Sequence, residues 1–445
     1  MKILQSLTKK HKDAIGLLQI GTFLEYFDLM LYVHMAVVLN ELFFPKTDPH
    51  TSRLIMALTF ASTFVFRPLG ALVFGYIGDN VGRKPVVIIT TMVMALSCVV
   101  MANLPTYAQI GITASYIMML CRIAQSFSSV GEIIAAEIYI TELIKPPARY
   151  PAVCLMDCAA GFGSLAALAI ASLVFIIKVD WRVVFWMGTL IAVIGSVARG
   201  SLSETPDFVN AKLKLQNVIK ELTINTNTTK ENPILNEKVD KKTSLAYFLI
   251  QCGTPLRFYF AYIYSSDLLK NLFNYSGEQI VHHNLIIAVV DFLSIIFFTI
   301  LSYKMHPLKV VKASLTIFLV FTLCVPLLLC NITSPLHLMI LQCICVFGIY
   351  DVPAHAVFFM HFPVFKRFTY TCFMFALSRA IMYSITSLGL IYITEKLGHW
   401  GLWIVFIPVI IGFRFGLLHF ENLEKTTKCY PEKNNTATVH VGGHF

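Results

Sequence analysis

Apolar residues fall in runs of about 20 positions that recur along the whole chain, which is the length a helix needs to cross a bilayer. We therefore predict twelve membrane-spanning helices. The spans predicted in the first half are 14–39, 53–77, 85–103, 110–139, 150–177 and 183–201. Those predicted in the second half are 245–266, 279–302, 310–330, 334–360, 369–394 and 400–419.

A polar stretch rich in Asn, Thr and Lys separates the two sets of six spans. Its lysines are Lys212, Lys214, Lys220, Lys230, Lys238, Lys241 and Lys242. The predicted fold is all-α and integral to the membrane, with two six-helix halves. We expect an N-terminal half at 1–201, a linker at 202–244, a C-terminal half at 245–419 and a polar tail at 420–445.

Composition and charge support a membrane protein. Hydrophobic residues make up 57% of the 445 positions and charged residues only 13%, against about 25% charged in soluble domains. The formal charge of +10 collects in the linker, at both ends and in the loops after even-numbered spans. Because cytoplasmic loops carry an excess of Lys and Arg, we predict cytoplasmic termini and no nucleic-acid partner.

Several other classes of protein are not favoured. The eleven cysteines show neither a zinc spacing nor a disulfide framework, and no ATP-binding P-loop is present. Segment 1–13 is polar and basic and leads into a full-length span, which is unlike a cleavable signal peptide. We expect no enzymatic activity, no cofactor and no metal site.

One motif joins the second and third spans, and its defining positions are Gly75, Gly78, Asp79, Gly82, Arg83 and Lys84. Gly75 and Gly78 permit the close approach of another helix backbone, and Gly82 permits a turn that bulkier residues disfavour. Asp79 is suited to the positive end of a helix dipole. Arg83 and Lys84 are expected to be cytoplasmic anchors.

This motif resembles the signature loop of the major facilitator superfamily. Further motifs occur at 66–70, 21–32, 105–111, 122–132, 181–185, 199–208 and 361–370. Together they are similar to the metabolite:proton symporter family, which includes carriers of proline and glycine betaine and of citrate and α-ketoglutarate. The resemblance implies a twelve-helix bundle with a central cavity, cotransport of protons with a small organic solute, and docking of Asp79 on a helix of the other half.

Two carboxylates stand in the first span. Glu25 and Asp28 are three residues apart and share a helix face. Charges within a span are costly and usually face a cavity or a partner. We predict a proton-coupling pair, and the alternative is a structural pair neutralised by an arginine.

Candidate cavity residues recur at helical spacing in the fourth span, namely Arg122, Gln125, Ser129 and Glu132. Such a polar stripe is expected to line a cavity. Arg122 either pairs with Glu25 or Asp28 or binds a substrate carboxylate, which guanidinium groups match in geometry.

The second half carries Asp291, Asp351 and Arg379 within predicted spans. We expect them at the cavity, with Arg379 pairing with a carboxylate. The loop at 301–312, where the superfamily repeats its signature, lacks the Asp and the glycines. The tail has no heptads, so no coiled coil is predicted.

The sequence thus predicts a monomeric secondary active transporter in a bacterial inner membrane. It would import a small organic solute, either an osmolyte such as proline or betaine or a carboxylate, together with protons by alternating access. A uniporter, exchanger or exporter on the same scaffold stays open, as does a non-transporting membrane sensor.

Overall fold

The computed structural model describes residues 7–44, 64–177, 180–200, 202–206, 208–214, 216 and 237–427. Regular secondary structure in these residues is helical throughout. The first six long helices are α1 Lys9–Phe43, α2 Arg67–Asn80, α3 Arg83–Asn103, α4 Ile112–Leu143, α5 Arg149–Ile177 and α6 Arg182–Arg199. Part of the second predicted span, 53–63, and most of the linker lie outside the described residues.

The later helices are less regular. Four consecutive pieces form α7, namely Lys241–Gln251, Gly253–Phe258, a π-helical turn at Tyr259–Tyr264 and Ser265–Phe273. Three unbroken helices are α8 Gly277–Lys304, α9 Pro307–Cys330 and α12 Leu402–Thr427. Helix α10 has two pieces, Pro335–Val346 and His355–Met360, and α11 runs over Val364–Ser384, Ile385–Leu390 and Ile391–Leu397.

Seven helices of the described part are long and apolar enough to cross a membrane. They are His11–Leu31, Arg83–Asn103, Ile112–Leu143, Arg149–Ile170, Gly277–Lys304, Pro307–Cys330 and Tyr392–Thr426. The chain is thus a polytopic helical membrane protein. Helix α12 continues to Thr427, beyond the predicted end of its span at 419.

The span predicted over 334–360 is not one continuous helix, because α10 is interrupted. Ile349 has a φ of 41°, in the left-handed region that β-branched residues rarely adopt. Pro353 lacks the N–H that would continue a helical ladder. A short 3₁₀ turn, Val352–Ala354, restarts the helix. The residues of the break, 349–354, are buried inside the bundle, as is usual for irregular backbone at membrane depth.

Local sequence explains many of the helix ends. Ser276 and Gln279 form a capping box at the start of α8, which satisfies two orphan N–H groups. Asp240 caps α7 by accepting a hydrogen bond from the backbone N–H of Lys242 at 3.1 Å. This bond holds the pKa of Asp240 below its usual value. Asn274, with φ of 52°, ends α7 in the left-handed conformation.

Helix packing joins the first six helices to the last six at two main seams. Helix α2 packs along α11, and α5 packs along α8. Within the first six, α1 packs on α5 and α3 packs on α6 and α4; within the last six, α7 packs on α12. We call the ends that carry the α2–α3 connection the α2–α3 side, and the opposite ends the α7–α8 side.

The α2–α11 seam depends on small residues, as the sequence predicted. A Cβ on Gly75 would lie 2.7 Å from the Cα of Thr369, and one on Gly78 would lie 2.7 Å from the ring of Phe368. Such separations are shorter than any ordinary carbon contact. Glycine at these positions therefore lets the two backbones meet.

We predict that Gly75→Ala lowers the thermal unfolding midpoint of the purified protein in detergent. Overpacking a tight contact typically costs about 1–3 kcal/mol. Gly16→Ala in α1 is the matched control, because nothing lies within 4 Å of its added Cβ, and alanine should stabilise a helix by roughly 0.5–1 kcal/mol relative to glycine. Equal midpoints for the two variants would contradict the close α2–α11 contact.

Candidate functional site

A cavity of about 640 Å³ lies between α1, α2 and α5 on one side and α7, α8 and α11 on the other. It extends from residues at mid-helix to Lys270 and Gly277, which are exposed near the α7–α8 connection. Its volume is in the range of sites for small organic molecules. The cavity therefore opens toward the α7–α8 side.

Two of the carboxylates that line the cavity are already engaged. Asp291 pairs with Arg257 at 3.0 Å and accepts a hydrogen bond from the hydroxyl of Tyr262 at 3.3 Å. Asp157 accepts a hydrogen bond from the hydroxyl of Tyr350 at 2.6 Å. Their charges are thus compensated or solvated by neighbouring groups of the protein.

Two cavity arginines have no carboxylate partner within salt-bridge distance among the described residues. Arg67 is 3% exposed, its guanidinium lies 4.8 Å from the ring centre of Phe64, and its Nε has no hydrogen-bond partner in the described part of the chain. Arg379 is 9% exposed and donates to the side-chain oxygen of Gln251 at 3.2 Å. Both guanidinium groups retain N–H donors that can bind an anionic group from the cavity.

Aromatic rings surround these arginines. The ring centres of Phe64 and Tyr383 are 4.1 Å apart, and those of Phe258 and Tyr383 are 6.2 Å apart. Phe258 also packs on Tyr262, with ring centres 5.1 Å apart. All four rings line the cavity, where aromatic faces can attract a cation by cation–π interaction.

Neither residue of the predicted proton-coupling pair is on the wall of this cavity, although Glu25 is within electrostatic range of Arg67 on that wall. Asp28 pairs with Arg122 at 3.5 Å, and Arg122 donates to the side-chain oxygen of Gln125 at 2.7 Å. The thiol of Cys98 donates to Asp28 at 3.5 Å. Glu25 faces a small gap bordered by Thr90, Thr91 and Ser128. The sequence left Glu25, Asp28 and a substrate carboxylate open as partners of Arg122, and in the structure its ion-pair partner is Asp28.

The expectation that the polar stripe of α4 lines the central cavity is wrong for its described side chains. Arg122, Gln125 and Ser129 are each 3% exposed or less and are absent from the cavity wall. Arg122 and Gln125 face α1 and α3, where they contact Asp28 and Cys98 respectively. Ser129 donates to the carbonyl of Ser126 at 3.2 Å. The side chain of Glu132 lies outside the described part.

The second-half charges have partners different from those expected. Asp291 pairs with Arg257 rather than with Arg379. Asp351 accepts hydrogen bonds from the Gln251 amide at 2.9 Å and the Thr254 hydroxyl at 3.1 Å. It also contacts His355. Only Asp291 and Arg379 of the three line the cavity itself.

Sequence reasoning missed several buried charges, namely Arg67, Glu137, Glu142, Asp157, Arg257 and His355. Most stand within predicted spans. The rule that intramembrane charges mark functional or paired positions would have selected them. Their partners, however, come from helices remote in sequence, which no local pattern reveals.

The α2–α3 side is closed by hydrogen bonds and ion pairs between α2, α3, α4 and α11. Asp79 accepts hydrogen bonds from the backbone N–H groups of Phe368 and Thr369, near the start of α11, at 3.0 and 2.9 Å. Gly82 has a φ of 143°, the region that favours glycine, and this turn delivers Arg83 to the same interface. The predicted docking of Asp79 is confirmed by this geometry.

Arg83 has a different role from the surface anchor that we expected. Its side chain is fully buried and pairs with Glu142 at 3.0 Å, and it also donates to the carbonyl of Val364 at 2.8 Å. Arg367 of α11 binds the same Glu142 at 2.9 Å. Lys84 reaches the carbonyl of Gly200 at 2.8 Å. The arginines therefore join α3, α4 and α11 instead of anchoring the loop in solvent.

These features define a polytopic α-helical membrane protein with a central cavity that is closed at one end. The chain belongs to the Major Facilitator Superfamily, whose family model matches residues 18–379. The resemblance seen in the sequence motifs is thereby confirmed at the level of the superfamily.

Among curated proteins, the chain is similar to the proline/betaine transporter of Salmonella typhimurium. The two are 29% identical over 304 residues, covering 65% of this chain and 58% of that protein. A glycine betaine/proline/ectoine/pipecolic acid transporter of Dickeya dadantii is 32% identical over 216 residues, 46% of this chain and 42% of that protein. The matches thus span about half the length of these relatives.

Solved structures show the same fold. A double-tryptophan variant of XylE aligns with a TM-score of 0.76 at 13% identity, covering 94% of this chain and 99% of that one. The human organic anion transporter MFSD10 aligns with a TM-score of 0.64 at 15% identity, covering 93% and 100%. At such identities the likeness concerns the fold.

We predict that Asp28→Asn and Arg122→Gln each destabilise the protein by about 3–5 kcal/mol, because either change leaves one buried charge without its partner. The double variant should be less destabilised than the sum of the two. Unfolding in detergent, analysed as a double-mutant cycle, measures this coupling.

The matched control is Asp180→Asn. Asp180 pairs with Arg182 at 3.6 Å, but its side chain is 55% exposed, and exposed pairs typically contribute about 0–1 kcal/mol. Additive effects of Asp28→Asn and Arg122→Gln would contradict the proposed pairing.

Proposed function

We propose that this chain is a secondary active transporter that imports a small zwitterionic solute of the proline or betaine kind together with protons. The observation that carries the proposal is the pair of cavity arginines, Arg67 and Arg379, beside a set of aromatic rings. The names of the relatives in Salmonella typhimurium and Dickeya dadantii support the same solute class.

The chemistry of the cavity suits a carboxylate joined to an ammonium group. Arginine binds carboxylates through charge-assisted, often bidentate, hydrogen bonds. Phe64, Phe258 and Tyr383 offer faces for an adjacent cation. Of the charged groups deep in the cavity, three are arginines and two are aspartates, so one guanidinium is in formal excess and fits one carboxylate.

A carboxylate without an ammonium group is the second candidate. Lys270 stands at the mouth of the cavity and adds to the positive charge that a di- or tricarboxylate would meet. Asp157 and Asp291 oppose this reading, because a second substrate carboxylate near them would be repelled. We therefore favour the zwitterion.

The proposal includes a topology. The excess of Lys and Arg in even-numbered loops favours cytoplasmic termini in a bacterial inner membrane. The α2–α3 side would then face the cytoplasm, and the cavity would open outward. We propose two halves, 1–201 and 245–419, joined by a linker at 202–244 and followed by a tail at 420–445. They would rock about the cavity in a monomer.

Glu25 and Asp28 stay the sequence-based candidates for proton coupling. Asp28 forms a buried ion pair with Arg122 at 3.5 Å. Protonation of Asp28 would remove the attraction within this pair and allow α1 and α4 to shift relative to each other. Glu25→Gln and Asp28→Asn variants that retain full proton-driven accumulation would exclude this role.

The transport proposal is tested by uptake into proteoliposomes with an imposed pH gradient, acidic outside. The panel comprises proline, glycine betaine, citrate and α-ketoglutarate. We expect uphill accumulation of proline or glycine betaine that a protonophore abolishes. Accumulation of citrate or α-ketoglutarate alone would favour the second candidate, and downhill uptake without accumulation would favour a uniporter.

We predict that Arg67→Gln and Arg379→Gln each raise the dissociation constant of the solute about 10- to 100-fold, since a hydrogen bond to a charged group contributes about 1.5–3 kcal/mol. Equilibrium binding of radiolabelled solute measures this. Lys396→Gln, at an exposed lysine on the same side but outside the cavity wall, should bind like the wild type. Unchanged affinity in both arginine variants would contradict the assigned site.

A further inference from the structure

Three buried side chains meet between α4 and α10. Nδ1 of His355 lies 2.7 Å from a carboxylate oxygen of Glu137, and Nε2 lies 3.1 Å from a carboxylate oxygen of Asp351. Each of the three residues is 3% exposed or less. Neither the sequence motifs nor the cavity described above accounts for this cluster.

The geometry has a consequence for protons. A neutral imidazole donates through one ring nitrogen only, whereas an imidazolium donates through both. Nε2 of His355 also lies 3.1 Å from the amide nitrogen of Gln251, which can donate to it. His355 donates to both carboxylates only when the cluster holds one proton beyond a neutral imidazole and two carboxylates. The cluster can therefore take up one proton as an imidazolium between two carboxylates, and without that proton Nε2 can accept from Gln251.

The side chains that surround the cluster come from three further helices, α5, α7 and α11. Asp157 and Cys154 approach from α5, Tyr247 and Gln251 from α7, and Cys372 and Arg379 from α11. The nearest charged or titratable groups among these are Arg379 and the hydrogen-bonded Asp157. An imidazolium between two carboxylates leaves one net negative charge, and Gln251 links this cluster to Arg379.

Two hydrogen-bond links connect the cluster to the cavity. Arg379, on the cavity wall, donates to the Gln251 oxygen at 3.2 Å, and the Gln251 amide donates to Asp351 at 2.9 Å. Thr254, also on the wall, donates to the other Asp351 oxygen at 3.1 Å. A solute carboxylate that binds Arg379 competes with Gln251 and so perturbs the partner of Asp351.

The cluster also joins parts of the chain that are remote in sequence. Glu137 belongs to α4, among the first six helices, whereas Asp351 lies in the break of α10 and His355 begins the piece that follows it. The cluster lies between the cavity and the polar contacts of Asp79, Arg83 and Glu142 that close the α2–α3 side. If the two sets of helices rock apart on the α2–α3 side, α4 and α10 separate and the bond between Glu137 and His355 breaks.

We propose that Glu137, His355 and Asp351 form a proton-binding site that is filled when the α2–α3 side is closed and releases its proton when that side opens. This inference rests on the proposed function, since it assumes that solute and proton move together. On opening, the N–H bond of the imidazolium breaks toward water on the α2–α3 side, which leaves a neutral imidazole and two carboxylates.

Release of the proton depends on whether solute is bound. Without solute, Arg379 holds Gln251, and Gln251 holds Asp351 in place against His355. When solute binds Arg379, the Gln251 amide is free to move. Its hydrogen bond to Asp351 then weakens, and the proton between the two carboxylates is held less firmly. Proton and solute affinities are then linked through one shared network.

The test compares Glu137→Gln, His355→Gln and the double variant with the wild type in proteoliposomes. Solute counterflow, which needs no net proton movement, should persist. Accumulation driven by a pH gradient, and solute-dependent acidification of the lumen reported by an internal pH dye, should both be lost. His361→Gln is the matched control, because His361 also contacts a carboxylate, Glu424, at 2.8 Å, but both belong to the last six helices.

Each outcome bears on one claim. Variants that keep both accumulation and lumen acidification overturn this inference and leave proton coupling to Glu25 and Asp28. A wild type that shows solute uptake without acidification refutes the proposed function instead. Loss in His361→Gln equal to that in His355→Gln would also overturn the inference, because the effect would not be specific to the α4–α10 contact.

A second measurement covers the case in which the variants fold poorly. Spin labels on the α2–α3 ends of α4 and α10 report their separation in otherwise unchanged protein. We expect the short distance to prevail at acidic pH and a longer one to be populated at alkaline pH. A distance distribution that is independent of pH would overturn the inference without reference to any variant.

Discussion

The contact between α2 and α11 is the constraint on which the rest of the structure depends. Gly75 and Gly78 bring the two backbones together, and Asp79 accepts the N–H groups of Phe368 and Thr369. A carboxylate buried in this way needs such donors, since burial without them is costly. Because this seam closes one end of the bundle, the cavity between the two sets of helices opens at the other.

The buried charged residues fall into two groups, those that pair with each other and those that face the cavity without a carboxylate partner among the described residues. Asp28 and Arg122 satisfy each other within the first six helices, and Asp291 and Arg257 do so on the cavity wall. Arg67 and Arg379 retain donors toward the cavity. A bilayer-embedded bundle retains ionisable groups where they serve a path or a partner, which is why we propose the solute site at these two arginines.

The sequence predicted the features that depend on the residues of a single helix. The spacing of Gly75, Gly78 and Asp79 predicted a close helix contact and a docked carboxylate, and both occur. It did not predict the contacts between segments that are distant in sequence. Arg83 is buried because Glu142 and the carbonyl of Val364 meet there, and the polar face of α4 turns toward Asp28 instead of the cavity. No periodicity within α4 or α10 reveals that Glu137 and His355 are partners.

Electrical recording from proteoliposomes on a solid-supported membrane tests the central claim most directly. A zwitterion carried with a proton moves one positive charge inward, so the account predicts an inward positive current when proline or glycine betaine is added, larger at acidic external pH. Solute uptake without current, or a current independent of external pH, would contradict proton-coupled transport of a zwitterion by this chain.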